Sequence, residues 1–368
     1  MSQSPSGTLA AWLRLNAASS LRPDLLRRIA GKVGLDRLSQ ASAAELAAAG
    51  ELRLDDAERL RHALSQCDPL REWERAQDLG LRVLAWDEPD FPDALRSVAD
   101  APLALYAWGS LDGRRDALAI VGSRQPTPYG RRMARQFARE AAGSLVIVSG
   151  LARGIDTEAH QAALQAGGTT WAVLGSGLAN IYPPENAALA HEIAAAGGCV
   201  LSEFPLDTEP WPGNFPRRNR VVAGLSWGTV VVEGRDKSGA LITARLAAEQ
   251  GREVFAVPGP ADSPLSEAPL RLISQGAKLA RSMADVWPEL PPGCRGRAPE
   301  PAAGKDAPLL APAHKKILEL LGSETRSLEE LGLESGLELG NLSHTLIEME
   351  FQDLISAVPG QRYAKKAD

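Results

Sequence analysis

The 368-residue chain is 44% apolar, 23% charged and 5% aromatic, which excludes a single small module and wholesale disorder and allows two to three domains. Its formal charge of −6 excludes a polycation that coats nucleic acid indiscriminately, so any nucleic-acid contact has to be local. Cys67, Cys199 and Cys294 are far apart and have no histidine at ligand spacing, which argues against a zinc site and against a disulfide framework.

The first residues, MSQSPSGTLAAWLRLN, carry no basic stretch leading into an apolar one, and no apolar run reaches about 18 residues. A cytoplasmic protein without membrane contact is expected. Residues 8–66 place apolar side chains at helical spacing, interrupted at Pro23, Gly31, Gly34 and Gly50, which predicts several short helices. Residues 1–80 are therefore assigned to a small helical domain. The helix, glycine and helix around Gly31 and Gly34 fit a helix-hairpin-helix whose turn amides meet a phosphate, and fit equally a structural cap.

From about residue 117, short apolar runs recur, each ending in a glycine- or serine-rich loop and followed by a helical pattern, at about 25–30-residue intervals. Strands are predicted at Leu118–Val121, Leu145–Val148, Trp171–Leu174, Cys199–Leu201, Thr229–Val232 and Val254–Val257. They are apolar throughout rather than alternating, as in a parallel sheet covered on both faces. An α/β fold with a doubly wound, Rossmann-like parallel sheet is expected over residues 81–288, with its ligand beyond the carboxyl ends of the strands. Residues 289–312, dense in Pro, Ala and Gly, predict a linker. Helices at His314–Leu321, Ser327–Gly332 and Asn341–Glu350, then strands at Leu354–Ala357 and Arg362–Ala364 flanking Pro359-Gly360, predict a winged-helix domain over residues 313–368.

Five loops follow the strands. The first holds Gly122, Ser123 and Arg124, where a glycine lets backbone approach a phosphate and the next helix start offers its N–H groups. It is not GxGxxG, and in isolation Arg124 reads as a solvated loop charge. In the second, Arg153 precedes Asp156, placed to cap a helix, and His160, which reads as a packing residue. The third offers Gly175, Ser176 and Gly177, with Tyr182 either stacking on a base or bracing the two prolines after it. The fourth concentrates Phe215, Arg217, Arg218, Asn219 and Arg220, an aromatic among arginines, which suits single strands: phosphates take the charge and unstacked bases take a ring or guanidinium face. A buried ring with solvated arginines is the plainer account. The fifth adds Arg235 and Lys237, partly offset by Glu233 and Asp236. Residues 113–282 carry 18 Lys+Arg against 15 Asp+Glu, so positive charge gathers where the strand-end loops would form a stripe.

In order and spacing, IVGSR, SGLARGIDTEAH, VLGSGLANIYPPEN, SEFP, FPRRNRVVAGLS, GTVVVEG, SGALITARLAAEQGREVFAVPG and LIEMEFQDLISAVPGQRY closely resemble the bacterial DNA-processing protein A family (DprA, also called Smf), strongly over residues 117–259 and moderately over 312–364. The resemblance implies an extended Rossmann domain that binds single-stranded DNA. It further implies a homodimer that protects incoming DNA and loads the RecA recombinase in natural transformation, or competence, and DNA recombination. Many members carry a small N-terminal helical domain of the sterile-alpha-motif or hairpin type, and some a C-terminal winged helix. Carried over by position, the implied DNA-binding residues are Arg124, Arg153, Asn219 and Arg220, with Lys237 in a variable basic stretch. After VPGP the family shows a GxNxLI-like run, whereas this chain has Ala268-Pro269-Leu270-Arg271-Leu272-Ile273, without the asparagine.

From residue 314 onward 6 Lys+Arg face 10 Asp+Glu, and the expected recognition helix carries Glu348 and Glu350. An acidic reading helix repels phosphates, so a protein contact is as good an expectation as a duplex, with the basic tail from Arg362 to Lys366 left as a wing. An alternative function, a nucleotide-binding enzyme of the Rossmann-like phosphoribohydrolase type, would use Glu233 at the end of GTVVVE. Trp227 and Ser226 stand where such enzymes carry glycines. No nucleophile–base pair, metal cluster or Walker sequence is present, so no catalytic residue, cofactor or metal is expected.

Overall fold

Caps, a first-turn proline and first-turn acids mark the starts of five N-terminal helices in the computed structural model, which describes residues 5–18, 21–113, 115–294, 312–321, 325–337, 339–351, 354–358 and 362–365. In α1 (Gly7–Ala17) the Ser6 hydroxyl accepts from the Leu9 amide, and α2 (Pro23–Val33) has proline in its first turn. A capping box between Ser42 and Glu45 opens α3 (Ala43–Gly50), Asp55 and Asp56 occupy the first turn of α4 (Leu54–Gln66), and Asp68 caps α5 (Pro69–Asp78). Of the expected breaks, Gly31 is not one. It continues inside α2 with open space at its Cβ position, and Gly34, at φ 91°, ends the helix instead.

These helices are not a body of their own. Leu13, Leu26, Leu46 and Leu60 share a core with Leu103, Tyr106 and Val200 of the following fold. Asn16 Nδ2 donates to the Glu203 carbonyl at 2.8 Å, and the Leu206 amide donates to Glu72 Oε1 at 2.8 Å. The boundary expected at residue 80 gives way to one unit, Met1–Pro299, because a helical layer this small buries its apolar face on the neighbouring sheet.

That unit continues through β1 (Arg82–Ala85), α6 (Asp93–Arg96), β2 (Ala104–Gly109), β3 (Ala117–Val121), α7 (Pro128–Ala141), β4 (Val146–Ser149) and α8 (Ile155–Gln165). Next come β5 (Thr170–Val173), α9 (Ala187–Ala195), β6 (Cys199–Ser202), α10 (Asn214–Gly224), β7 (Gly228–Val231) and α11 (Gly239–Glu249). It ends with β8 (Glu253–Ala256), α12 (Glu267–Ser274), β9 (Lys278–Leu279) and α13 (Met283–Val286). The strands form one sheet in the order β1-β2-β6-β5-β4-β3-β7-β8-β9. Neighbours from β6 to β9 are parallel, as expected, while β1 and β2 add an antiparallel edge, so the sheet is mixed. Side chains alternate across it. Ala117, Ala119 and Val121 pack with Val221, Val222 and Ala244, whereas Leu118 and Ile120 pack with Met133, Phe137 and Ile155.

The chain winds from β3 through β6 on one side and from β7 to β9 on the other, so the direction reverses between β3 and β7. Val121 and Val231 pair across this point, where an open α/β sheet leaves a crevice at its carboxyl edge. The expected linker begins later than residue 289, because Leu290 and Cys294 are buried with α7 and α13; residues 295–311 lie outside the described residues.

The second unit, Glu300–Asp368, contains α14 (Pro312–Leu321), β10 (Arg326–Ser327), α15 (Leu328–Ser335), α16 (Leu339–Phe351), β11 (Ile355–Val358) and β12 (Arg362–Lys365). Its antiparallel sheet, ordered β10-β12-β11, closes over Ile317, Leu331, Leu342, Leu346 and Ile355 as a winged helix. The Pro359-Gly360 turn and Lys366 lie outside the described residues. Arg362 is engaged within the unit, 3.4 Å from Glu330 and donating to the Thr325 carbonyl at 2.6 Å.

Candidate functional site

A cleft of about 980 Å³ opens at the β3/β7 crevice, and the loop after β3 forms its floor. A Cβ on Gly122 would lie 2.7 Å from Ile155 Cγ1 and 3.0 Å from the Glu233 carbonyl, so only glycine passes between α8 and the end of β7. The Ile155 amide donates to the Ser123 carbonyl at 3.1 Å. Gly154, at φ 77°, brings its Cβ position within 2.3 Å of that carbonyl, which locks the first and second loops together.

Arg124 emerges from this floor with its guanidinium carbon 5.5 Å from the centre of the Phe215 ring. Phe215 in turn meets Tyr182, with centroids 5.7 Å apart and planes inclined at 53°. All three line the cleft. Gly175 makes room for this arrangement rather than lining the cleft: a Cβ there would stand 2.8 Å from Phe215 Cδ1. Tyr182, left open between stacking and bracing, lies against the ring and faces the cleft.

Two further arginines reach the same recess. Arg153 pairs with Glu185, both exposed, and this hydrogen bond raises the guanidinium pKa and lowers that of the carboxyl. Arg218 is buried and donates to the Val173 carbonyl at the end of β5. Burial pushes it down to about 10, opposed by Asp156 and reinforced by Arg124. Gly150 is what admits it, since a Cβ would fall 2.2 Å from Arg218 Nη1. Asp156 is not the helix cap; Gly154 takes that position. Instead Asp156 accepts from the amides of Gly150 at 3.0 Å and Ala152 at 3.3 Å, holding the loop. His160 is a packing residue, buried with Nδ1 2.6 Å from Thr170 Oγ1, and burial and then Arg218 lower its pKa to about 3.

The opposite rim comes from the loop after β7. Arg235 and Lys237 are exposed on it. Asp236, expected to offset them, pairs with Arg271 instead. Asn219 Nδ2 donates to the Gly239 carbonyl at 3.3 Å, tying α10 to the start of α11. That start lines the cleft through Ser238, Gly239 and Ala240 and has no acidic residue in its first turn. Sequence reasoning missed it, although small residues after a basic stretch were its signal.

Several expected contacts lie elsewhere. Arg220 and Glu203 are buried together, and Arg217 sits 3.1 Å from the same carboxylate and over the Phe204 ring, so neither arginine lines the cleft. Ser176 is buried, donating to the Asn180 carbonyl at 2.6 Å, and Gly177 is pressed against the Leu206 carbonyl. The start of α7 is not an open anion site either. Glu233 accepts from the Thr127 amide at 2.9 Å and hydroxyl at 2.5 Å, putting a resident carboxylate there. The one carboxylate that an N-glycosidic hydrolase would need is thus committed to holding a helix.

The chain matches the family model of DNA recombination-mediator protein A over residues 82–291 and that of the DprA winged helix domain over 298–361. It is 39% identical to protein Smf of Escherichia coli strain K12 over 355 residues, covering 95% of this chain and 94% of the relative. It is 43% identical to DNA processing protein DprA of Bacillus subtilis strain 168 over 220 residues, 58% of this chain and 73% of that one. The X-ray structure of DNA processing protein A from Streptococcus pneumoniae superimposes with a TM-score of 0.67 at 33% identity, covering 78% of this chain and 99% of the other. DNA processing protein A from Helicobacter pylori, described for its single-stranded DNA binding mode, superimposes with a TM-score of 0.51 at 32% identity, covering 56% of this chain and 93% of that one.

Proposed function

The chain belongs to the DNA recombination-mediator protein A family, and we propose that its cleft holds single-stranded DNA, protecting the strand and presenting it to the RecA recombinase during natural transformation. The observation that carries this reading is the arrangement of Arg124 over Phe215 against Tyr182 at the topological switch point. A single strand offers alternating phosphates and unstacked bases, and this wall offers a guanidinium and ring faces to match. Phosphates would sit between Arg124, Lys237 and the start of α11, which lines the cleft and has no acidic residue in its first turn. The single-stranded binding described for the Helicobacter pylori relative supports the same ligand.

The family's designation as a recombination mediator supports the proposed part with RecA. A cytoplasmic homodimer, in which two clefts hold one longer strand, completes the proposal. No chemical step is assigned to the cleft.

The test is fluorescence anisotropy with labelled single-stranded and duplex oligonucleotides over a salt series. Single-strand selectivity is expected, with log K falling by about 0.7 per log unit of salt for each phosphate neutralised. Equal affinity for duplex, or binding insensitive to salt, would overturn it.

A further inference from the structure

Eight tryptophans are present, and Trp12, Trp73, Trp86, Trp108, Trp171, Trp227 and Trp287 are buried or half-buried; Trp211 is 65% exposed. Tryptophan has the largest aromatic face, and a ring that the fold leaves in water is open to a ligand. Trp211 lies between Pro210 and Pro212, both of which line the cleft, while Trp211 itself does not. The segment is rigid. Flanking prolines restrict the backbone, the Trp211 amide donates to the Glu209 carbonyl at 2.9 Å, and the Asn214 amide donates to the Trp211 carbonyl at 2.9 Å. Asn214 Nδ2 adds a bond to the Glu209 carbonyl at 3.2 Å. The segment leads straight into α10, so a fixed turn connects Trp211 to Phe215 at the inner aromatic wall.

We propose that Trp211 is a base-stacking platform at the mouth of the cleft, taking a nucleotide of the strand beyond those held inside. This rests on the reading of the cleft as a single-strand site. Glu209, exposed two residues earlier, adds negative charge to the segment rather than a phosphate-binding cation, so the contact proposed is through the face of a base, which any of the four bases presents. Trp211 therefore adds affinity without adding sequence preference, and only for strands long enough to leave the cleft. A stacked base contributes about 5- to 100-fold in affinity.

The experiment uses the full chain with labelled oligothymidylates of about 4 and about 16 nucleotides, spanning single-strand site sizes. Variants are Trp211→Ala, Trp211→Tyr and, as a control on the cleft, Arg124→Ala, with circular dichroism confirming wild-type folding. Trp211→Ala is expected to weaken the longer strand about 5- to 100-fold and the shorter one much less, and Trp211→Tyr to restore most of the loss. Quenching of intrinsic fluorescence by the longer strand should shrink in Trp211→Tyr. If Trp211→Ala binds both lengths as wild type does while Arg124→Ala loses both, the stacking proposal falls and the cleft reading stands. Equal loss of both lengths in Trp211→Ala also overturns it, and a wild-type chain that binds neither length overturns both.

Discussion

Arg220 is buried against Glu203. The guanidinium donates to the carboxylate inside the molecule, Asp100 stands 3.6 Å from Arg220 Nε, and Arg217 approaches the same Glu203 oxygen at 3.1 Å. The group ties α10 to the loop after β6 and to the segment before β2. Removing Arg220 leaves the buried Glu203 with Arg217 alone, at a cost of up to about 3–5 kcal/mol. Arg220→Ala should therefore lower the urea midpoint sharply, with DNA binding lost in step with folding. An Arg220→Ala chain of wild-type stability but weakened DNA binding would place this arginine on the strand instead.

Glu185 holds Arg153 by a hydrogen bond, and in the proposed site it would compete with a DNA phosphate for that guanidinium. Their hydrogen bond is exposed and raises the Arg153 pKa, so Glu185→Gln should free the guanidinium for a phosphate. A modest gain in single-strand affinity at low salt, vanishing at high salt, is the expected anisotropy result. A loss of affinity would mean that Glu185 itself orients the ligand.

Glu233 is a helix clamp, and Glu233→Ala should destabilise the fold by about 1–3 kcal/mol as the Thr127 amide and hydroxyl lose their acceptor. Incubation of the wild-type chain with nucleoside monophosphates should release no base. Release that disappears in Glu233→Gln would reinstate the hydrolase.

His160 makes stability depend on pH. Its folded pKa, about 3, lies below the ordinary value of 6.5, so the neutral form is favoured by folding. The contribution is complete above pH 6.5 and is lost as pH falls towards 3, at up to about 1.4 kcal/mol per pH unit for one proton. Urea midpoints measured from pH 7 to pH 4 should fall less steeply in His160→Gln than in wild type. Parallel slopes would show that His160 titrates normally in the folded chain.

The parallel strands β3 to β8 were legible because each is an apolar run closing on a glycine- or serine-rich loop and a helix, as in Leu118–Val121 followed by Gly122, whereas the two-residue parallel strand β9 was not. β1 and β2 were not, because no such unit follows them and their pairing is antiparallel. Within the site, a glycine beside an arginine marks the two loops that bring Arg124 and Arg153 to the cleft. The arginines of α10 do not share one surface, since helical spacing sends neighbouring side chains in different directions. Arg218 reaches the recess while Arg220, two residues on, turns to Glu203, and sequence does not display a partner that lies 17 residues earlier. Trp211 carried no pattern at all, as its meaning depends on exposure.

The most direct measurement is the single-strand affinity of Arg124→Ala/Phe215→Ala beside wild type, with thermal melting to confirm that both are folded. Loss of the guanidinium and the ring it covers should weaken binding by at least about tenfold and flatten the salt dependence by about 0.7 in slope. A folded double variant that binds single strands with wild-type affinity and salt dependence would contradict the assignment of this cleft as the DNA site.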